Sequence, residues 1–558
     1  MKILRYFGRN RTKIILPMLF IIYSFTQGFG QVNTAWLKQF NSSPNLVDFG
    51  RRISLDSDGN VFVCGHSFIN KDQEGVTTLI KYNTAGVEQW SHFTEPGVNM
   101  EDFAIDNNNN LYITGDKWNG ANNDIILIKF NNDANEIWRK LFNGGNWDLS
   151  FAITTDNFGN IYQTGVTWYQ PQYYNFITIK YNSQGDTLWT RTHSSPGAAS
   201  DYPKKVILDH SGNVYVTGFA DNDIAILKYT PSGNLLWDRN INMNFDYSEL
   251  YSPDILVDNN DNLIVSGTQY NTISHSDILA AKYDSSGTLQ WLRLWNGPAN
   301  DSDVVSGNSI RDESLGIDGT GNIYVTGTTV RRGVYFSDNV VTIKYNPQGV
   351  LMWSHIYNGP ADDWDRPYSI KVSNSGNVYV SGETVVILDS FIPLDYLTMK
   401  LNTNGQLQWV QTYDGLGNFA DHVAAMTINE AEEVFVTGIS DQEQNIFKGN
   451  SDIVTIKYIQ TTTGITSNVI STGYKLSQNF PNPFNPVTKI TFNIPRSGFV
   501  NLKVFDISGK EIALLVNEIK SAGEYSFDFD ASALSSGTYF YSIKTGDFTM
   551  TKRMVLIK

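Results

Sequence analysis

The stretch "DSDGNVFVCG" (56–65) decides the fold, because its second half keeps returning. "NNLYITG", "GNIYQTG", "GNVYVTG", "DNLIVSG", "GNIYVTG", "GNVYVSG" and "EEVFVTG" follow it, ending at Gly115, Gly165, Gly218, Gly267, Gly327, Gly382 and Gly438. The period is 49 to 60 residues. Repetition on that scale makes each copy one supersecondary unit, too small to bury its own apolar surface and dependent on its neighbours.

A second phrase follows each first one, as in "DIILIKF", "DIAILKY" and "DIVTIKY". It carries a lysine at one fixed place: Lys81, Lys129, Lys180, Lys228, Lys282, Lys344, Lys400 and Lys457. In the first seven copies a turn then begins at Asn83, Asn131, Asn182, Thr230, Asp284, Asn346 or Asn402. A tryptophan lies seven residues on, at Trp90, Trp138, Trp189, Trp237, Trp291, Trp353 or Trp409. Each period therefore reads as four short strands separated by turn signals. Asn or Asp opening a turn with Gly at its fourth position favours a type I turn closed by a left-handed residue, which reverses an antiparallel pair. Runs such as "IVTI" and "ILVD" are apolar at nearly every position, so both faces of each sheet must be covered. Radial closure of four-stranded blades covers them all, whereas an open stack of sheets leaves an apolar face bare at each end.

The eighth copy runs "DIVTIKYIQTTTG" and never reaches a tryptophan strand. The missing strand stands at the other end, where Trp36 in "AWLKQFN" (35–41) matches "WRKLFNGG" and "WSHIYNGP". The first segment is expected to complete the last blade and clasp the ring. The expected fold is all-β: an eight-bladed β-propeller over residues 31–458, with seven blades plus a divergent hairpin as the alternative, followed by a small Ig-like β-sandwich.

The pattern "DxxGNIYVTG…DIxxIKYNxxGxxxW" resembles the SBBP β-propeller repeat of exported bacterial proteins, over about residues 32 to 459. The family name implies seven blades, against the eight counted here. The seventh and eighth copies depart from the pattern, with Ser373 and Asn429 in place of the turn Asp. The resemblance implies no chemistry.

Residues 1–30 carry Lys2, Arg5, Arg9, Arg11 and Lys13, no acid, and the apolar run "IILPMLFIIYSF" before a small-residue ending, which reads as a secretory signal peptide. The run is too short for a transmembrane helix and contains Pro17, and no later segment is apolar enough to span a bilayer. Removing it takes the formal net charge from -15 to -20, which argues against nucleic acid as a partner. Cys64 is the single cysteine, so an exported core must hold without crosslinks, and the residue reads as packing.

Five copies place an Asp eight residues before the turn: Asp48, Asp148, Asp201, Asp365 and Asp421. These either form a carboxylate ring or cap the start of the first strand by accepting backbone N–H bonds; capping is expected. The repeated lysine reads as a stem packed between blades with its ammonium at the rim. "DSDGN" (56–60) has two of the acids of a calcium loop but not its distant Glu, so turn chemistry is expected there. G-x-S-x-G, H-E-x-x-H and phosphate-loop motifs are missing, and "GLGNFA" (415–420) follows a strand rather than opening a helix. No catalytic residue, cofactor or metal ligand is assigned. The loops "NGGNWD", "NGPADDWDRP" and "DGLGNFADH" form the expected binding surface, with Trp147 and Trp364 as candidates for stacking on sugars or peptides.

Residues 459–473, "IQTTTGITSNVISTG", are uncharged and read as a linker. The segment 474–558 then shows three strand groups. Its phrases "QNFPNPFNP", "FDISGKEI", "SSGTYFY" and "KRMVLIK" resemble the type A C-terminal sorting domain of the type IX secretion system. That resemblance implies the secretion machinery of a Bacteroidetes-type bacterium as partner, passage across the outer membrane, removal of this domain, and release or attachment to surface lipopolysaccharide. Gly537, Tyr539 and Lys552 are its candidate sorting residues. Two functions are open: a secreted or cell-surface propeller that binds an unknown glycan or protein without catalysis, and an extracellular propeller enzyme degrading polysaccharide or peptide.

Overall fold

The computed structural model describes residues 31–558 apart from 43–45, 71–74, 170–172, 197–199, 222, 244–252, 272–274, 306–312, 332–336, 387–393, 416–418, 442–449, 462–473, 480, 495–497, 521–522 and 547. The expected signal peptide and most of the expected linker lie outside these residues. The chain divides into two compact units, with the boundary at residues 462 and 463. Among the described residues every element is a strand.

Among the described residues the first unit holds eight antiparallel sheets. Seven follow one another, at residues 48–93, 98–142, 148–193, 202–242, 254–295, 303–357 and 365–413, each with its strands hydrogen-bonded in chain order. The sixth has its first strand in two pieces, Asp303–Val305 and Leu315–Ile317. The eighth combines Asp421–Ile428, Val434–Asp441 and Ser451–Thr461 with Gln31–Phe40 from the start of the unit. Trp36 stands opposite Lys457, the pairing that Trp90 makes with Lys81 and Trp138 with Lys129. Ser451–Thr461 runs three residues into the expected linker, because residues 459–461 pair with Asn33, Val32 and Gln31. Each sheet packs on the next, and the eighth packs back on the first.

Two sequence constants have direct causes in the packing. In six first strands a bulge falls between Gly50 and Arg52, Met100 and Asp102, Ser150 and Ala152, Pro203 and Lys205, Pro367 and Ser369, or Val423 and Ala425. The glycine ending the "TG" phrase lies opposite: a Cβ on Gly65, Gly115 or Gly382 would overlap the carbonyl oxygen of Phe49, Asn99 or Arg366. Only glycine allows that approach. The second constant is the turn glycine four residues before six of the seven turn-linked tryptophans, with Ala134 standing in before Trp138. Gly86, Gly233 and Gly349 have φ near +80°, and a Cβ on any of them would strike the indole of the preceding sheet, Trp36, Trp189 or Trp291.

Each of those indoles also donates across the seam. Trp36, Trp90, Trp138, Trp189, Trp237, Trp291 and Trp353 bond a turn carbonyl of the next sheet at 3.0–3.4 Å. Trp409 Nε1 alone has no acceptor. In its neighbour, the eighth sheet, no turn joins the third and fourth strands, since the fourth arrives from residue 31. The repeated lysine stacks on a ring of its own sheet and also bonds a turn of the next: Lys228 lies 4.7 Å over Tyr215, meets Asp209 at 3.1 Å and donates to Ser285 O at 3.0 Å. Asp56 accepts from Asp58 N, Asn60 N and Asn60 Nδ2 within its own turn and meets Lys81 Nζ at 3.3 Å, the turn chemistry expected of "DSDGN". Cys64 is fully buried in the cluster between sheets one and two, and burial pushes its thiol well up, out of reactive range.

The second unit packs a three-stranded sheet (Lys475–Leu476, Val487–Ile494, Gly523–Asp530) and a four-stranded one (Gly498–Phe505, Glu511–Lys520, Gly537–Thr545, Phe548–Leu556) around Phe484, Ile490, Phe492, Leu502, Tyr541 and Met554. The two ends of the sorting-like pattern meet: Val555 N donates to Asn482 Oδ1 at 2.9 Å, and Phe484 bridges to Leu556.

Candidate binding surface

The two rims of the first unit are built by different rules. One carries the Asp-x-x-Gly and Asn-x-x-Gly turns, nearly constant from sheet to sheet. The other carries two loops per sheet, one after the second strand and one before the first, and these differ in length and sequence. They are tied together by one recurring bond, as Phe68 N to Val47 O, Trp168 N to Trp147 O and Val385 N to Trp364 O. Variable loops on a repeated frame are where recognition is placed.

Capping fixes the base of this rim. Asp48, Asp148, Asp201, Asp365 and Asp421 accept the N–H of Ser42, Gly144, Ser195, Gly359 and Gly415 at 2.6–2.8 Å. Asp303 does the same for Gly297 at 2.5 Å, although the spacing rule misses it because the sixth sheet carries an insertion after its first strand begins. Burial pushes Asp303, Asp365 and Asp421 each up to about 6.

Above these caps, sheets two to four carry a run of aromatic rings. Trp118, 49% exposed, lies 5.8 Å from Trp147, 40% exposed, with the planes 52° apart. Trp147 is joined through its carbonyl to Trp168, whose ring meets Tyr174 edge-on at 4.9 Å, and Tyr174 is 5.7 Å from Tyr202. The rim beside them is amide-rich: Asn119 Nδ2 donates to Asp124 at 2.9 Å and Asn123 Nδ2 to Asp116 at 2.7 Å, while burial pushes Asp116 up to about 6. Apolar ring faces next to fixed amides and carboxylates suit a ligand with both C–H faces and hydroxyls.

The structure thus gathers Trp147 with Trp118, Trp168, Tyr174 and Tyr202, four residues the sequence reading did not select. The signal was partial, since "GDKWNG" and "TWYQPQYY" each carry Trp three residues after the repeat glycine, where sister copies carry Phe68, Asp221, Tyr270, Val330, Val385 and Asp441. Trp364 is not part of this run. It stands on the seventh sheet, 38% exposed, with the Arg366 guanidinium 4.8 Å over its ring and that guanidinium fixed by Asp338 at 2.8 and 2.9 Å.

Where the first strands converge, charges are paired rather than offered. Arg52 meets Asp102 at 3.0 Å, Lys205 meets Asp254 at 2.5 Å and Lys371 meets Glu313 at 2.7 Å. Lys205, Glu313 and Lys371 border a cavity of about 190 Å³ with Leu256, Leu315 and Ile370. Although burial opposes it, Lys371 and Lys205 hold Glu313 down at about 2.

In the second unit Gly537 is exposed at a strand start, Tyr539 is nearly buried with its hydroxyl donating to Ser535 O at 2.7 Å, and Lys552 stands opposite Tyr541. Residues 478–558 match the model of the secretion system C-terminal sorting domain, and residues 290–329 match that of a β-propeller repeat. The chain is therefore an all-β protein of propeller repeats with a sorting domain, exported by type IX secretion to the cell surface or extracellular space. No curated protein matches it. Similar solved structures include the β-propeller domain of the Trilobed protease from Pyrococcus furiosus (8% identity, TM-score 0.37, covering 76% of this chain and 98% of that one). PorZ, a surface component of the type-IX secretion system of Porphyromonas gingivalis, is 10% identical with TM-score 0.21, covering 94% and 100%. At these TM-scores the likeness carries no functional inference.

Proposed function

We propose that this protein is an exported, non-catalytic binding protein whose first unit is a closed eight-bladed β-propeller and whose variable rim holds a glycan across the aromatic run. Eight mutually packed sheets and the strand from residue 31 support the blade count. The second unit, two packed sheets of three and four strands, is an Ig-like sandwich that serves as the address for the type IX machinery and is separated from the propeller by the linker ending at residue 473. The observation that carries the ligand class is the pair of exposed indoles, Trp118 and Trp147, side by side beside an amide-rich rim. Indoles left this exposed contribute little to the core, and their faces fit the apolar side of a pyranose.

The test is a glycan array with the purified full chain, followed by calorimetry on the best binder. Trp118→Ala and Trp147→Ala should each weaken binding roughly tenfold or more, on the order of 1.4 kcal/mol, with unchanged melting temperature. Retention of full affinity by the double variant removes the aromatic run as the site.

A further inference from the structure

At the seams between sheets, the capping aspartate of one first strand meets a residue near the start of the third strand of the sheet before it. Asp148 faces Asp124, Asp303 faces Asp277 and Asp48 faces Asp452. In all three cases an amide side chain donates to the third-strand carboxylate: Asn119 to Asp124, Asn271 to Asp277, and Gln39 to Asp452.

The seam between the seventh and eighth sheets is different. Asp421 faces Asp395, but no amide among the described residues serves Asp395. Asp395 Oδ1 is buried, with the residue 5% exposed, and has no hydrogen-bond partner among the described residues; Asp421 Oδ1 has none either, as is true of the capping Asp48 and Asp148 Oδ1 at the sister seams. A third carboxylate comes to them instead. Asp414 stands seven residues before its capping aspartate, a position held by Asn41, Asn296 and Asn358 ahead of Asp48, Asp303 and Asp365. The three acids present oxygens within 4.8 Å of one another. Among the described residues no cation answers them: Asp441 adds further repulsion on Asp421, and the adjacent His422 is turned to Glu383 at 2.7 Å.

We propose that Asp395, Asp414 and Asp421 hold a single Ca²⁺ that bridges the seventh and eighth sheets. An all-oxygen, carboxylate-rich donor set selects a hard divalent ion over zinc or copper. Oxygens on opposite sides of a Ca²⁺ at about 2.4 Å are about 4.8 Å apart, so a set this compact fits inside one coordination sphere, which loop carbonyls and water complete. The ion supplies the positive charge that amide donors supply at the sister seams. Without it, three carboxylates with oxygens within 4.8 Å of one another repel across the seam.

The experiment is calorimetric titration of the full chain with Ca²⁺, with thermal melting in Ca²⁺ and in chelator. The wild type should bind Ca²⁺ saturably with a Kd of about 10⁻⁴–10⁻³ M, the range of extracellular modules, and melt higher in Ca²⁺. Asp414→Asn restores the residue of the sister positions and is expected to fold. It should weaken Ca²⁺ roughly tenfold or more, melt above the wild type in chelator and below it in Ca²⁺. Asp395→Asn, which mirrors Asn175 and Asn339 in other sheets, should show the same crossing. Equal Ca²⁺ responses in the wild type and both variants, or no response in the wild type, overturn the proposal.

Discussion

Buried carboxylates set much of the chemistry at the scale of single residues, and they are arranged so that neighbours rescue them. Where the seventh sheet has Ser373 instead of the turn Asp, Glu432 of the eighth reaches across to Lys400 at 3.0 Å, Tyr379 at 2.7 Å and Asn377, and hydrogen bonds from Tyr379, Asn377, Ser375 and Ser373 hold it down at about 2 against burial. Glu433 does the equivalent for Lys457 at 2.9 Å where Asn429 has replaced the acid. Neither rescue was legible, because the charge moves to a residue outside the repeat's pattern. The caps were legible in part: five followed from spacing, and Asp303 did not because the sixth sheet's insertion shifts it. Asp365 gives a clean pH test. Its folded-state pKa of about 6 lies above the ordinary 3.8, chiefly through burial, with Asp363 and Asp362 adding to it. The stability it contributes is therefore full below about pH 4 and lost as pH rises through 6, a change of up to about 3 kcal/mol. Asp365→Asn keeps an acceptor for Gly359 and cannot ionise. Its melting temperature relative to the wild type should climb between pH 4.5 and 7.5; a flat difference means Asp365 carries no proton in the fold.

The strand Gln31–Phe40 matters most at the scale of elements. Its Trp36 ring lies 6.0 Å from Tyr82 in the first sheet and 6.1 Å from Phe435 in the eighth, so one residue joins both. Deleting residues 31–42 should lower the melting midpoint of the whole propeller unit and broaden its transition, because the third strand of the eighth sheet becomes a bare edge. An unchanged midpoint and cooperativity would show that the strand is an ornament. Its pairing was readable from the tryptophan count alone, since seven complete copies and one incomplete copy leave one partner. The bulge opposite each "TG" glycine was not readable: a bulge changes which residues face each other across strands, and a single-strand pattern does not record its partner.

The whole molecule is exported, and its two units answer to different demands. If the second is an address, it is dispensable once read. Mass spectrometry of the surface or secreted form in the native host should find a chain ending between about residues 462 and 473, since a cut inside either packed unit, including the paired residues 459–461, requires local unfolding. A chain still ending at Lys558 would make the sandwich a permanent module. The sequence carried this destination plainly, because "QNFPNPFNP" and "KRMVLIK" are held together by pairing that any such domain needs. It carried the binding rim poorly. Trp147 was found by its exposure-prone loop, but its partners come from three sheets, and no linear spacing brings Trp118 beside Trp147 or Tyr202 beside Tyr174.

The indole of Trp409, which has no carbonyl to bond, marks the one place where the circle of turns is not covalent. Gln31 and Thr461 stand opposite each other there, so a tail can be trimmed from either side without opening any sheet. The same adjacency makes the unit a natural subject for circular permutation. An Asn-x-x-Gly turn of the sister length joining Tyr458 to Thr34, in place of 459–461 and 31–33, would put a carbonyl where the sister indoles find theirs and free each of the other seven turns to serve as a new pair of ends. The cut that proves intolerable would then identify the blade from which the circle is assembled.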